Sequence, residues 1–176
     1  MQKNNSRRFN TVTVTVAAML TAISIVIGIF CKNFLNFGGG LFRVTFENLP
    51  IILSGIMYGP VVGGMVGVAT DLVSYLLSSQ IYPPNLIVTL GCATVGITSG
   101  VISRYVIKTP GYKQIIVSGA LAHIIGSMII KSIGLYQFYG TMVLVRIPLY
   151  MVIAPVEIII ICLLYKNSNF RRLWKM

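Results

Sequence analysis

Residues 47–78 read ENLPIILSGIMYGPVVGGMVGVATDLVSYLLS, and where this run is divided decides the fold. As one helix it would be about 48 Å long at 1.5 Å per residue, too long for a hydrocarbon core about 30 Å thick. Gly59-Pro60 supplies a break, because proline lacks an N–H and disfavours helical geometry in the residue before it. The run therefore reads as two antiparallel segments, 47–59 and 61–78, joined by a tight turn.

The rest of the chain repeats the pattern. Of its 176 residues 56% are hydrophobic and only 10% charged, with a mean hydropathy of +0.86. About a quarter of the residues in a soluble domain are charged, so this composition indicates an integral membrane protein. The apolar runs do not alternate in polarity as the strands of a membrane barrel would. They predict an all-α membrane domain, 1–176, with six spans at about 11–31, 47–59, 61–78, 85–104, 114–131 and 146–165.

Charge sets the expected orientation. With both termini in the cytoplasm, the inner side receives Lys3, Arg7, Arg8, Arg104, Lys108, Lys113, Lys166, Arg171, Arg172 and Lys175, ten of the 14 basic residues. Lys32, Arg43, Lys131 and Arg146 are left outside, in keeping with the positive-inside rule. The net charge of +11 is thus a topology signal, spread over short loops and tails and forming no basic face for nucleic acid. The first run is about 20 residues long and lacks a small-x-small cleavage site before polar sequence, so it reads as a retained helix.

No enzymatic signature is present: no phosphate-binding G-x-x-x-x-G-K-[ST], no H-E-x-x-H and no G-x-S-x-G elbow. One histidine and three carboxylates leave little acid–base chemistry to arrange. Cys31, Cys92 and Cys162 are odd in number and widely spaced, which points to buried apolar residues and not to a metal or a disulfide. No metal or cofactor is expected, and any energy for transport has to come from an ion gradient or another subunit.

Polar residues inside the spans are costly in hydrocarbon and face the bundle interior. Gly119, His123, Ser127 and Lys131 follow one another at four-residue spacing; Arg146, Tyr150, Ala154 and Glu157 mark a stripe on the last span. Asp71, His123 and Glu157 lie at mid-depth, where interhelical hydrogen bonding and a proton relay are both open readings. Arg43, Lys131 and Arg146 fall in the outer third, either snorkelling to headgroups or receiving an anion. The segment 32–46, KNFLNFGGGLFRVTF, places a glycine triplet among Phe34, Phe37, Phe42 and Phe46 as a mobile aromatic lid. Residues 79–85, SQIYPPN, form a second outer loop presenting Tyr82 and Asn85. The aromatic residues suit either an interfacial belt or the walls of a site for a flat, charged small molecule. On the first span Ala18 and Ala22 form a small-x-x-x-small pair on a helix with almost no polar stripe, turned outward toward another protein.

The stretch FRVTFENLPIILSGIMYGPVVGGMVGVATDLVSYL (42–76) resembles the Arg-hydrophobic-Ser/Thr-Phe-x-x-Leu-Pro…Gly-Pro…Gly…Asp pattern of the substrate-binding S-components of energy-coupling factor (ECF) transporters. Their folate members are the most similar. PNLIVTLG (84–91) and the Ala18/Ala22 pair extend the resemblance. It implies a six-helix vitamin-binding subunit in a prokaryotic plasma membrane. Its site would open outward, and a transmembrane coupling subunit and two cytoplasmic ATPases would supply the ATP hydrolysis. Folate suits the residues by charge, with Phe42, Arg43, Phe46, Tyr82, Asn85, His123, Lys131, Arg146 and Tyr150 as the expected binding set. Pantothenate or another vitamin, a self-powered secondary carrier using Asp71, His123 and Glu157, and a purely structural subunit are the alternatives.

Overall fold

A computed structural model describes residues 11–37, 42–77 and 85–167. Helix α1 spans Thr11–Phe34 and leads into two short antiparallel strands, β1 (Asn36–Phe37) and β2 (Phe42–Arg43), paired Asn36 to Arg43 and Phe37 to Phe42. The pairing turns the expected lid segment into a hairpin, with Val44 N donating to Leu35 O to lengthen it. The glycine triplet, 38–40, lies outside the described residues.

The chain then folds back twice. Helix α2 (Asn48–Tyr58) and helix α3 (Pro60–Leu77) meet at Gly59, whose φ of 96° lies in the region that favours glycine. Proline at the first position of α3 needs no amide partner there. The expected turn is therefore present, but α2 has 11 residues, roughly 16 Å, and is too short to cross a bilayer. Nine of the eleven are buried, so α2 is an inner helix wrapped by its neighbours. Five other helical segments are long and apolar enough to cross: 11–34, 60–77, 86–106, 112–137 and 147–166.

Helices α3 and α4 (Leu86–Val101) approach until their backbones touch. A Cβ at Gly96 would lie 2.0 Å from Gly63 O, and one at Gly67 would lie 2.3 Å from Cys92 O. Gly55 brings α2 into the same contact, 2.4 Å from Gly96 O by the same measure. Lipid gives no hydrophobic reward for helix association, so such close approach supplies the dispersion contacts that hold the helices together. The outer surface is apolar to match, with Val26, Leu76, Leu86 and Met151 exposed.

A π-helical turn, Ile102–Val106, ends α4, and the cytoplasm-side connection expected from the sequence is tied by side chains. Arg104 donates to the Tyr58 carbonyl at the end of α2, and Gln114 Nε2 donates to Ser103 O and Ile107 O at 2.8 and 2.9 Å. Helix α5 (Tyr112–Ala122) continues as a π-helical stretch, His123–Ile130, into α6 (Lys131–Tyr139). A 3-10 stretch, Gly140–Val145, leads to α7 (Arg146–Lys166). The region after 131, which lies between two of the predicted spans, is thus largely helical.

The π-helical stretch fits the spacing of the polar residues it carries. Four-residue steps drift by about 40° each around an α-helix of 3.6 residues per turn, so Gly119 and Lys131 would end on different faces. Wider i→i+5 turns wind more slowly and cancel the drift. Gly119, His123, Ser127 and Lys131 are all buried as a result.

Candidate functional site

Lys131 is 3% exposed, an unusual position for a cation inside an apolar bundle. Its Nζ donates to Asn48 Oδ1 at 2.8 Å and lies 3.7 Å from Glu47 Oε1. Asn48 Nδ2 in turn donates to Ser127 Oγ at 3.4 Å, one turn from Lys131 on the same helix. Gly91 of α4 leaves room for the lysine stem, since a Cβ there would lie 2.6 Å from Lys131 Cγ. Tyr150 of α7 is also buried.

Glu47 occupies the N-cap position of α2, but its side chain makes no capping hydrogen bond. The sequence favours a carboxylate there for the helix dipole. The carboxylate does sit at the helix start, directed at Lys131. Helix α1 closes over it: Ser24 Oγ donates to Glu47 O at 2.6 Å, and Gly28 leaves space for the carboxylate. The cluster of Glu47, Asn48, Ser127 and Lys131 joins three elements at the foot of the β1–β2 hairpin. Its cation and its carboxylate neutralise one another.

A second polar pair lies deeper. His123 Nε2 and Glu157 Oε2 are 2.7 Å apart with both side chains fully enclosed. The contact is close but out of line with a hydrogen bond, since neither atom has a partner of hydrogen-bond geometry. Two complementary groups this close and this enclosed interact whatever the ring tilt. Asp71 is separate from them: its Oδ2 accepts from Thr89 Oγ1 at 2.6 Å and its Oδ1 from Cys92 Sγ at 3.7 Å.

The sequence-predicted residues therefore divide. Lys131, Tyr150 and His123 come into the interior, His123 against Glu157. Asn85 caps α4 by accepting from Ile87 N at 2.9 Å, and its Nδ2 ties α4 to α6 by donating to Gly134 O at 2.7 Å. Phe46 is half-buried next to Glu47. Phe34 instead stacks on Phe30 at 4.7 Å on the exposed face of α1, away from any lid role. Phe42 and Arg43 form β2 and Arg146 starts α7, with their side chains outside the described residues, as is all of Tyr82. Ala18 and Ala22 are exposed. From sequence alone Glu47 is a carboxylate near the first turn of α2, favoured there by the positive end of the helix, while Asn48 and Ser24 have no assigned role. Asn48 carried one signal, an amide directly behind a carboxylate at the start of an apolar run.

Among the described residues no cluster of three or more His, Cys, Asp or Glu could hold a metal, and the three cysteines are free.

The model of the family described as "ECF transporter, substrate-specific component" matches residues 12–176. A solved structure described as FolT bound with folic acid is similar in fold, with a TM-score of 0.68 and 20% identity. The likeness covers 91% of this chain and 96% of that one. The uncharacterised protein MG098 homolog of Mycoplasma pneumoniae is 26% identical over 98 residues, 56% of this chain. The matched segment spans only 20% of that longer relative.

Proposed function

The chain belongs to the family of substrate-specific components of ECF transporters, and from that premise we propose that it binds folate at the outer side of the membrane for uptake. On this proposal a transmembrane coupling subunit and two cytoplasmic ATPases complete the transporter and supply the energy. One observation carries the choice of folate: the fold likeness to a structure that holds folic acid runs over nearly the whole of both chains.

The residues divide the ligand by charge. Glu47 already neutralises Lys131, so this cluster offers paired donors and acceptors and no net charge. Such a set suits the neutral, flat pteridine ring, whose amino and oxo groups need both kinds of partner. The two carboxylates of the glutamate tail then require separate cations, and Arg43 on β2 and Arg146 at the start of α7 are assigned to them. Phe42, Phe46 and Tyr82 would wall the ring system. The exposed Ala18 and Ala22 would form the docking face for the coupling subunit, where small residues let a partner helix approach closely.

Mass spectrometry of small molecules copurifying with the chain tests the proposal without choosing a ligand beforehand. A reduced or oxidised folate in near-equal amount with the protein is expected. Stoichiometric pantothenate or another vitamin would overturn the assignment.

A further inference from the structure

Helix α1 presents two different faces. Ala18 and Ala22 are exposed, while Ser24, Gly28 and Cys31 are its buried residues, roughly 120° away around the axis. Two of the buried three meet the same residue. Ser24 Oγ donates to the Glu47 carbonyl at 2.6 Å, and a Cβ at Gly28 would lie 2.9 Å from Glu47 Oε2. One contact fixes the backbone of Glu47 and the other sets the space its carboxylate fills. The carboxylate, unused as a helix cap, stands 3.7 Å from Lys131 Nζ.

A buried ammonium takes its direction from whatever satisfies it, here Glu47 and Asn48, neighbours in sequence at the start of α2, with the Cys92 thiol of α4 also beside it. Moving Glu47 therefore moves two of the groups that hold Lys131. We infer that Ser24 and Gly28 are positioning residues for the ligand site, acting through Glu47 to aim Lys131, so that ligand affinity depends on how α1 sits against the start of α2. This deepens the folate reading, because it takes the Glu47–Lys131 cluster as part of the binding site. Neither residue touches the cluster's cation, and neither carries a charge, so composition gives no hint of the role.

The test uses the full chain in detergent with Ser24→Ala, Ser24→Thr and Gly28→Ala, read by tritiated folate binding. Loss of one hydrogen bond corresponds to about a threefold to tenfold rise in Kd for Ser24→Ala. Ser24→Thr, which keeps the hydroxyl, should return to within about twofold of wild type, and Gly28→Ala should weaken binding at least as much as Ser24→Ala. Unchanged Kd in Ser24→Ala overturns the inference, and so does a Ser24→Thr variant as weak as the alanine. A Gly28→Ala chain that fails to fold leaves the Ser24 pair to decide.

A readout without folate separates this inference from the ligand assignment. Cys92, 1% exposed, lies on α4 beside the Gly91 that packs on Lys131, whereas Cys162 is on α7. A small membrane-permeant thiol reagent, followed by peptide mass spectrometry, should modify Cys92 faster in ligand-free Ser24→Ala than in wild type, with Cys162 unchanged. If wild type binds no folate, the function proposal fails, and the Cys92 rate alone decides the positioning role. Equal Cys92 rates, or equal acceleration at both cysteines, would then overturn it.

Discussion

Glu47 and Lys131, one at the start of α2 and the other at the start of α6, meet at 3.7 Å inside the bundle and close a cluster that also holds Asn48 and Ser127. Their side chains are 13% and 4% exposed, so the ammonium has little water to fall back on. Removing one partner of a buried pair strands the other, at about 3 kcal/mol or more. Lys131→Met should lower stability by about that amount and weaken folate binding, while Glu47→Gln/Lys131→Met should regain much of the stability and none of the affinity. Thermal unfolding in detergent beside a binding titration checks both. A Lys131→Met chain as stable as wild type would contradict the pairing.

The His123–Glu157 contact makes the opposite case, a buried pair outside the cluster. Glu157→Leu alone should cost about 3 kcal/mol by leaving the imidazole without its partner. His123→Leu/Glu157→Leu should be as stable as wild type or more so, since apolar packing replaces two desolvated groups. Melting temperatures of His123→Leu, Glu157→Leu and the double variant decide this. A double variant less stable than either single would show that the pair supports more than itself.

Backbone contact between α3 and α4 sets a further expectation. Alanine at Gly96 would place its Cβ 2.0 Å from Gly63 O, where only a helix shift relieves the clash, at about 1–3 kcal/mol or more. Gly111→Ala meets nothing within 4 Å and should change stability by no more than about 0.5 kcal/mol. The two variants together show whether close approach, and not glycine content, holds these helices.

Ala18→Trp/Ala22→Trp tests the outer face of α1. Both positions are exposed, so folate binding to the isolated chain should hold within about twofold, the range of surface substitutions. Uptake in cells that also carry the coupling subunit and ATPases should fall by about tenfold or more, since a clash of 1–3 kcal/mol blocks docking. Normal uptake would place the partner elsewhere.

Much of the bundle is legible in the sequence because hydrocarbon leaves few choices: an apolar run near 20 residues crosses, and Gly-Pro ends a helix. The short α2 was the exception: the 13 residues of 47–59 already fall short of the roughly 20 that a crossing helix needs, and only the packing shows that neighbouring helices bury the segment. The helical stretch after Lys131 falls between two of the predicted spans. Its Ser132, Tyr136 and Gln137 look like loop composition, yet each is compatible with a helix that continues beyond the apolar core. The stripe of His123, Ser127 and Lys131 was legible from its spacing, although the π-helical winding that keeps it on one face was not. Partners were less legible than positions. Lys131 reads in isolation as an outer cation for an anion, and only the fold brings Glu47 and Asn48 to it. Ser24 looks like any serine in an apolar helix until the helix packs against Glu47.

On the proposal above, this chain binds folate through residues at the foot of the hairpin. Equilibrium binding of tritiated folate to the purified chain, without partner subunits, tests it most directly. Saturable binding near one folate per chain, with Kd below about 1 µM and displaced by unlabelled folate but not by pantothenate, is the predicted result. Absence of saturable binding below that concentration, in protein whose melting temperature shows it folded, would contradict it.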